Sequence, residues 1–272
     1  MDTASTLLLS PTVGETYQAC VKLNRPVVIT GVLAIFPNLA KWDIDYVRKI
    51  INNKKVLVAK QSVGKEFGVW DQVSTTTAEY FKRLAEGFKD EPLQYMAQQD
   101  IDATHPELKD LIGIDQLLPK QVVRHRALWI GPGGTRVRLH MDPEDNFFLQ
   151  VMGSKTFHLF SPQDTPNLYA HSPFSKSPEL SQVVACNIDF NAHPKARNTR
   201  PIKVELTAGD LLFLPAYWWH EVVNSPKPSI SINIWCRTKF PGNLHGMKQL
   251  MPKSIKLWLS STIKKIVSKK ST

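Results

Sequence analysis

The chain has 272 residues, 42% hydrophobic and 21% charged, with a formal net charge of +10, a balance that permits a sizeable core and excludes a disordered or fibrous protein. It contains no run near the roughly 20 apolar residues of a membrane span, no basic secretory signal at its N-terminus, and no CxxC pair among three widely spaced cysteines, which disfavours zinc and disulfide frameworks. These exclusions predict a cytoplasmic protein, or a nuclear one if the source is a eukaryote.

The first 125 residues are predicted to be mixed and largely helical. Residues 24–31 have the pattern of a short buried strand that ends at a glycine turn. Residues 42–51 and 77–84 place apolar side chains at helical spacing, and Asp43 is a candidate N-cap for the first of these helices. Residues 55–59 form a second candidate strand between the two helices.

The pattern changes to short strands after Arg126. These strands are predicted at residues 127–130, 146–152, 156–160, 211–214 and 229–235. The tripeptide Gly153-Ser154-Lys155 predicts a hairpin between the second and third of them. Many short strands without long helices between them predict an antiparallel barrel or sandwich. Residues 172–200, rich in Ser, Pro and Asn, are predicted to form an irregular surface loop.

A candidate metal site comes from the tripeptide His140-Met141-Asp142 and from His220. Side chains two positions apart on a strand point to the same face, so His140 and Asp142 can converge on one point. Two histidines and one carboxylate form the facial triad of non-haem Fe(II) oxygenases, which leaves coordination positions open. A histidine and an aspartate at this spacing also occur by chance as structural residues in many chains, so the surrounding motifs decide between the two interpretations.

Those motifs resemble the JmjC/cupin-like family of Fe(II)- and 2-oxoglutarate-dependent hydroxylases. The matching segments are residues 25–31, 128–135, 139–143, 146–155 and 209–220, and the resemblance extends over roughly residues 20–240. It implies a mainly β fold with flanking helices, in which a double-stranded β-helix (jelly-roll) barrel is the catalytic core. We accordingly divide the chain into an N-terminal α/β region at residues 1–125, the core at residues 126–240, and a C-terminal helix at residues 241–272.

The resemblance implies that His140, Asp142 and His220 bind Fe(II), with 2-oxoglutarate as co-substrate and O2 as oxidant. Lys155 matches the family lysine that pairs with the distal carboxylate of 2-oxoglutarate. A lysine directed into a barrel requires an anion, whereas the alternative interpretation is a solvated hairpin lysine. Tyr95 matches a tyrosine whose hydroxyl reaches the same carboxylate, and the alternative is an ordinary core tyrosine.

Three further residues match family positions around the co-substrate. Asn146 and Asn233 correspond to residues that line its pocket, and Trp235 corresponds to an aromatic residue beside the metal; ordinary barrel packing is the alternative for each. Two positions depart from the family pattern. Related hydroxylases usually carry Ser or Thr three residues before the first ligand, where this chain has Val137, and Arg138 replaces the proline that often follows. These departures bear on co-substrate binding rather than on the metal site.

The whole net positive charge lies in the last fifth of the chain. Residues 222–272 contain ten basic residues and no acidic one. Within this segment, residues 252–267 place apolar side chains at helical spacing with lysines between them, which predicts a basic amphipathic helix. Three roles stay open for it: dimerisation or packing on its own domain, contact with an anionic membrane surface, and binding of RNA or another polyanion.

Three functions follow from these observations. Tyr95, Asn146 and Lys155 are most similar to the asparaginyl, arginyl and lysyl hydroxylases, which implies hydroxylation of a protein or peptide side chain with succinate and CO2 as co-products. One alternative is a tRNA-base hydroxylase, which the basic tail would suit and which salt-sensitive tRNA binding would favour. The other is a non-catalytic cupin-like binding module, which an absence of 2-oxoglutarate turnover would favour.

Overall fold

The computed structural model describes residues 4–7, 15–60, 72–89, 93–113, 118–172 and 174–238. These residues form thirteen β-strands: β1 Ser5–Leu7, β2 Val27–Ile29, β3 Lys55–Lys60, β4 Gln72–Thr76, β5 Gln94–Asp100, β6 Val123–Gly131, β7 Arg136–Met141, β8 Asp145–Met152, β9 Lys155–Phe160, β10 Ile202–Leu206, β11 Leu211–Leu214, β12 Trp219–Asn224 and β13 Ser229–Cys236. They also form short helices: α1 Glu15–Leu23, α2 Val32–Ile35, α3 Ile44–Ile50, α4 Thr77–Glu86, α5 Ile101–Thr104 and α6 Pro106–Ile112.

The strands make two sheets. The major sheet has the order β1-β2-β11-β8-β13-β6-β5-β3-β4, and the minor sheet has the order β10-β9-β12-β7. Every pairing is antiparallel except that of β1 with β2. Two facing antiparallel sheets with non-consecutive neighbours are the arrangement of a jelly roll, so the predicted mainly β, cupin-like fold is confirmed.

Alternation along the central strands decides which side chains face the helices and which face the minor sheet. On β13, Ile230, Ile232 and Ile234 belong to the large apolar core that includes residues of the helices. The residues between them, Ser231 and Asn233, therefore point towards the minor sheet, because successive side chains on a strand point to opposite faces. The space between the sheets is thus lined by polar as well as apolar side chains, and it holds the candidate site.

The predicted N-terminal elements are present. Asp43 caps α3, because its carboxylate accepts a hydrogen bond from the Tyr46 N–H at 2.7 Å. Thr76 caps α4 in the same way, and Tyr80 of that helix donates to the Ile130 carbonyl oxygen at 2.6 Å, which fixes α4 against the major sheet. The prediction of a hairpin between β8 and β9 is wrong, because β8 pairs with β11 and β13 in the major sheet whereas β9 pairs with β10 and β12 in the minor sheet. The turn between these two strands therefore connects the two sheets. It needs Gly153, which has a φ of +78° and whose added Cβ would lie 2.7 Å from the Pro228 carbonyl oxygen.

The prediction of a surface loop at residues 172–200 is wrong for part of that segment. Val183 and Ala185 are buried in an apolar cluster with Leu139 and Trp219 on the outer face of the minor sheet. Residues 179–181 also hydrogen-bond to β7, which is the edge strand of that sheet. Packing here is achieved by irregular backbone and short 3₁₀ turns, which carry no periodic signal in the sequence.

Strands from the first 125 residues and from the core join in one sheet, since β5 pairs with β6. The division into three regions at residues 125 and 240 stays a prediction. The predicted C-terminal amphipathic helix lies outside the described residues. Among the described helices, none combines the length and the apolar character that crossing a membrane requires.

Candidate metal centre

The three predicted metal ligands lie together at one end of the minor sheet. His140 on β7 and His220 on β12 are directly paired in the strand register, and their ring centroids are 4.0 Å apart. Asp142 follows immediately after β7, with its Oδ2 3.8 Å from His220 Nε2. One ligand atom from each of the three residues lies within 4.8 Å of the others. This spacing allows a single cation to contact all three.

Backbone hydrogen bonds fix which nitrogen of each imidazole faces the centre. His140 Nδ1 lies 2.7 Å from the Arg138 carbonyl oxygen, and His220 Nδ1 lies 3.1 Å from the Trp218 carbonyl oxygen. Because a carbonyl oxygen only accepts hydrogen bonds, each Nδ1 carries the ring proton. Each Nε2 is therefore left with a free lone pair, which is the state that a histidine needs to bind a metal.

Burial keeps His220 neutral. Desolvation, followed by the neighbouring His140, lowers the pKa of His220 to about 4. The imidazole therefore stays unprotonated at neutral pH, and a cation need not displace a proton from it. Asp142 supplies the negative charge of the group.

A β-bulge places His140 and Val137 on the same face although they are three residues apart. His220 pairs with His140, but Val222 pairs with Val137, so Glu221 alone stands opposite Arg138 and Leu139. One extra residue on β7 resets the alternation of its side chains. The Arg138 carbonyl, which belongs to the bulge, lies against Nδ1 of the His140 ring.

The Asp142 side is held by contacts from two other segments. The Asp142 carbonyl oxygen accepts from the Tyr217 N–H at 2.7 Å, and Trp235 Nε1 lies 3.5 Å from Asp142 Oδ2, a long hydrogen bond. The Trp235 ring in turn stacks on His125, with centroids 4.5 Å apart and an interplanar angle of 13°. These contacts limit the positions that the carboxylate can adopt.

Lys155 lies in the same cavity, deeply buried. Only 3% of the residue is exposed, and its Nζ donates to Tyr95 Oη at 2.8 Å and to Ser231 Oγ at 2.9 Å. The rings of Phe148 and Tyr95 lie 4.9 and 5.5 Å from Nζ. No carboxylate of the described residues forms an ion pair with it. Burial therefore lowers the pKa of Lys155 to about 7, and a bound anion would restore the charge.

All eight residues predicted for the site line one cavity. Asn146 and Asn233 each bury a side-chain oxygen that has no hydrogen-bond partner. Burial raises the pKa of the Tyr95 hydroxyl well above its usual value, so this hydroxyl keeps its proton. Val137 also lines the cavity, whereas Arg138 is not among the described lining residues.

Sequence reasoning missed several residues of the site, among them Ser231 and Trp129; the others that line the cavity are Gln98, Phe148, Phe157 and Val222. Ser231 accepts a hydrogen bond from Lys155. Its position two residues before Asn233 and four before Trp235 on one strand could have indicated that it faces the same cavity. The apolar ring of Trp129 also lines the cavity, on β6 directly opposite Ser231 in the register.

Comparisons with known proteins agree with this geometry. A family model described as a cupin-like domain matches residues 14–242. "Jumonji C domain-containing protein 5" of Drosophila melanogaster is 29% identical over 242 residues, which is 83% of this chain and 58% of that protein. "Lysine-specific demethylase 8" of Danio rerio is 32% identical over 221 residues, 78% of this chain and 53% of that protein.

A shorter match covers about half of the chain. "HSPB1-associated protein 1" of Bos taurus is 36% identical over 129 residues, 47% of this chain and 27% of that protein. The chain spans about half the length of the first two relatives. The match to the domain model nevertheless extends over residues 14–242, which is most of the chain. The chain therefore belongs to the cupin-like JmjC domain family.

Proposed function

We propose that this protein is an Fe(II)- and 2-oxoglutarate-dependent oxygenase that hydroxylates a side chain in a protein. One observation carries the proposal: three metal-ligand atoms within 4.8 Å of one another share a cavity with a buried lysine that has no carboxylate partner among the described residues. The ligand group suits a cation, and the lysine suits the distal carboxylate of a small dicarboxylic acid.

The donor set fits iron in its reduced state. Two neutral imidazoles and one carboxylate, arranged on one side of a metal, are the ligands that non-haem Fe(II) oxygenases use. His140 and His220 would bind through Nε2, because each Nδ1 is engaged with a backbone carbonyl. Asp142 would supply the third ligand and neutralise one of the two positive charges.

The other end of the cavity fits 2-oxoglutarate. Lys155 would pair with its distal carboxylate, while Tyr95 and Ser231, which already contact Lys155 Nζ, would stay beside the same anion. The amides of Asn146 and Asn233, whose buried oxygens have no protein partner, would complete polar contacts to the bound co-substrate. Each of these assignments uses polar groups that are costly to bury unless a ligand meets them.

Bound Fe(II) would supply the activation of O2 for insertion of one oxygen atom into a C–H bond, while oxidation of 2-oxoglutarate to succinate and CO2 would provide two electrons and place the other oxygen atom in succinate. The chain's own residues bind and orient. His140 and His220 would hold the metal, Lys155 would hold the co-substrate at one end, and the rings of Trp235 and Trp129 would line the cavity with apolar surface that excludes water.

A protein side chain is proposed as the substrate because relatives with this domain are named as lysine-specific demethylases, a name that points to protein substrates. Those names also support demethylation of a lysine as a second candidate. Mass spectrometry separates the two reactions. Hydroxylation adds one oxygen atom to the peptide, whereas demethylation removes one CH2 unit and releases formaldehyde.

Succinate release tests the proposal directly. Purified protein with Fe(II), 2-oxoglutarate and ascorbate should form succinate, and a pool of peptides should raise the rate and gain oxygen. Omission of Fe(II), or its replacement by Zn(II), should stop the reaction. If succinate does not form under any of these conditions, the protein is a binding module rather than an oxygenase.

A threonine in place of Val137 should improve co-substrate binding. Val137 lines the cavity where related enzymes usually carry a hydroxyl, and one added hydrogen bond to an anion contributes about 1.5 kcal/mol, or roughly tenfold in affinity. The KM for 2-oxoglutarate in Val137→Thr should therefore fall by up to about tenfold. Val137→Ala is the matched control, since it changes the size without adding a donor. An unchanged KM in the threonine variant would show that this position does not contact the co-substrate.

Co-substrate binding should weaken as the pH rises above neutrality. Burial lowers the pKa of Lys155 to about 7, so the free cavity holds a cationic lysine below that pH and a neutral one above it. Both carboxylates of 2-oxoglutarate stay ionised throughout. The KM for 2-oxoglutarate, measured from pH 6 to 9, should be lowest at pH 6 and rise steadily above pH 7. In Lys155→Arg, whose guanidinium stays charged, the KM should not depend on pH.

A further inference from the structure

Glu221 is a buried carboxylate next to a candidate metal ligand but on the opposite face of the strand. It follows His220 on β12, so it points to the outer face of the minor sheet, and it has no exposed surface. It is also the single residue opposite the two-residue bulge at Arg138 and Leu139 on β7. The function proposed above gives Glu221 no part.

Three donors surround this carboxylate. Arg136 Nη1 lies 2.8 Å from Oε2, the Ala185 N–H lies 3.1 Å from Oε2, and the Cys186 N–H lies 2.6 Å from Oε1. Arg136 belongs to β7, and the two N–H groups belong to the segment at residues 179–187, which we call the outer segment. Glu221, on the strand of His220, thus connects β12 with β7, which carries His140, and with the outer segment.

The outer segment closes the edge of β7 on both sides of His140. The Ser181 N–H donates to the Leu139 carbonyl oxygen at 3.0 Å, and the Met141 N–H donates to the Glu179 carbonyl oxygen at 3.1 Å. An edge strand would otherwise leave these groups to solvent or to another chain. The backbone on either side of His140 is therefore hydrogen-bonded to a segment that Glu221 in turn holds through two hydrogen bonds.

We infer that Glu221 is a positioning residue of the metal centre, which acts by holding the outer segment and Arg136 around the β7 bulge that orients His140. Its negative charge is needed because these donors converge on a carboxylate that has no exposed surface of its own. Without that charge, the ion pair with Arg136 would be lost, and the N–H groups of Ala185 and Cys186 would lose their charged acceptor.

A change in the backbone of the bulge would alter the orientation of a metal ligand through the Arg138 carbonyl group. The Arg138 carbonyl, which lies within the bulge, is the partner of His140 Nδ1–H. If that carbonyl turns away, the imidazole loses the contact that sets both its tautomer and its angle. Partners of this kind typically contribute 10- to 100-fold to metal affinity. Because the effect is transmitted through backbone, we expect the lower end of that range.

The test is Co(II) binding by the metal-free 272-residue chain, followed through visible absorption. Glu221→Gln keeps the size of the side chain but places an amide N–H2 against the donors, so its dissociation constant for Co(II) should be about tenfold higher than that of the wild type. The Co(II) absorption bands should also change shape. Glu205→Gln is the matched control: Glu205 lies on β10 of the same sheet, is exposed, and pairs only with Lys203 among the described contacts. The Co(II) affinity and absorption spectrum of Glu205→Gln should match those of the wild type.

Metal-free thermal unfolding separates positioning from general destabilisation. The inference holds if Co(II) affinity and spectrum change while the metal-free protein still unfolds cooperatively, and it is overturned if the affinity of folded Glu221→Gln stays within about twofold of the wild type. If Glu221→Gln does not fold, Arg136→Gln decides in its place, since it removes the partly exposed partner and should also weaken Co(II) binding. An unchanged affinity in that variant overturns the inference. The inference rests on the metal site proposed above, and failure of the wild type to bind Co(II) would refute that site itself.

Discussion

Replacing His140 with alanine is expected to abolish both metal binding and succinate formation. His140 contributes one of three ligand atoms that lie within 4.8 Å of one another, and the two remaining ligands cannot hold a cation on one face. Loss of an outer partner of a ligand costs about 10- to 100-fold in metal affinity, so loss of the ligand itself should exceed about 100-fold. Mn(II) binding followed by electron paramagnetic resonance measures the first effect, and succinate release measures the second.

A second histidine provides the control for this substitution. His171 lies in the segment after β9 and is partly buried; its described hydrogen bond is from its backbone N–H to the Leu180 carbonyl oxygen. His171→Ala should therefore keep Mn(II) binding and succinate formation close to the wild type. Metal binding by His140→Ala at wild-type affinity would rule out the triad and with it the proposed oxygenase. Added imidazole should restore part of the Mn(II) binding by His140→Ala, because the cavity left by the side chain can admit a free ligand.

Two of the three metal ligands could be predicted from a local rule in the sequence. His140 and Asp142 are two positions apart, which places both side chains on one face. His220 could be placed only through the family resemblance, since nothing local shows that β12 lies beside β7 with His220 opposite His140. Pairing between distant strands is set by the whole sheet, and a single sequence does not carry that information.

The position of Val137 shows where alternation alone fails. Strict alternation would place a residue three positions before His140 on the opposite face, yet Val137 and His140 line the same cavity. The bulge at Arg138 and Leu139 causes the difference. A bulge depends on the partner strand and on what packs behind it, which here is Glu221 and the irregular segment at residues 179–187. Neither has a periodic pattern, so neither the bulge nor its support could be foreseen.

The substitution Lys155→Met should preserve or raise the stability of the metal-free protein but weaken binding of 2-oxoglutarate. The combination of these two effects identifies Lys155 as a co-substrate-binding residue. Lys155 is a buried amine, cationic below about pH 7, whose described contacts are hydroxyl groups and aromatic rings. A methionine of similar length removes the charge without leaving a cavity. Since replacing a buried charge with an apolar side chain is often neutral or stabilising, the metal-free protein should unfold at the same temperature as the wild type or at a higher one.

Co-substrate binding should fall in the same variant. Removing one partner of a buried charged pair costs at least about 2 kcal/mol, which is roughly a 30-fold rise in the KM for 2-oxoglutarate. Metal binding should stay within about twofold of the wild type, because Lys155 does not contact the three ligands. Lys203→Met is the matched control: Lys203 lies on β10 of the same minor sheet but is exposed.

A residue that merely supports the fold would give the reverse pattern, with a lower unfolding temperature and an unchanged KM. A lysine exposed on a hairpin would change neither quantity. Only a cation kept in a cavity for an absent anion predicts higher metal-free stability together with weaker co-substrate binding, because the cost of burying its charge is recovered when the ligand is present. Thermal unfolding with and without 2-oxoglutarate therefore separates the three cases in one experiment: the co-substrate should stabilise the wild type and Lys203→Met but leave Lys155→Met almost unchanged.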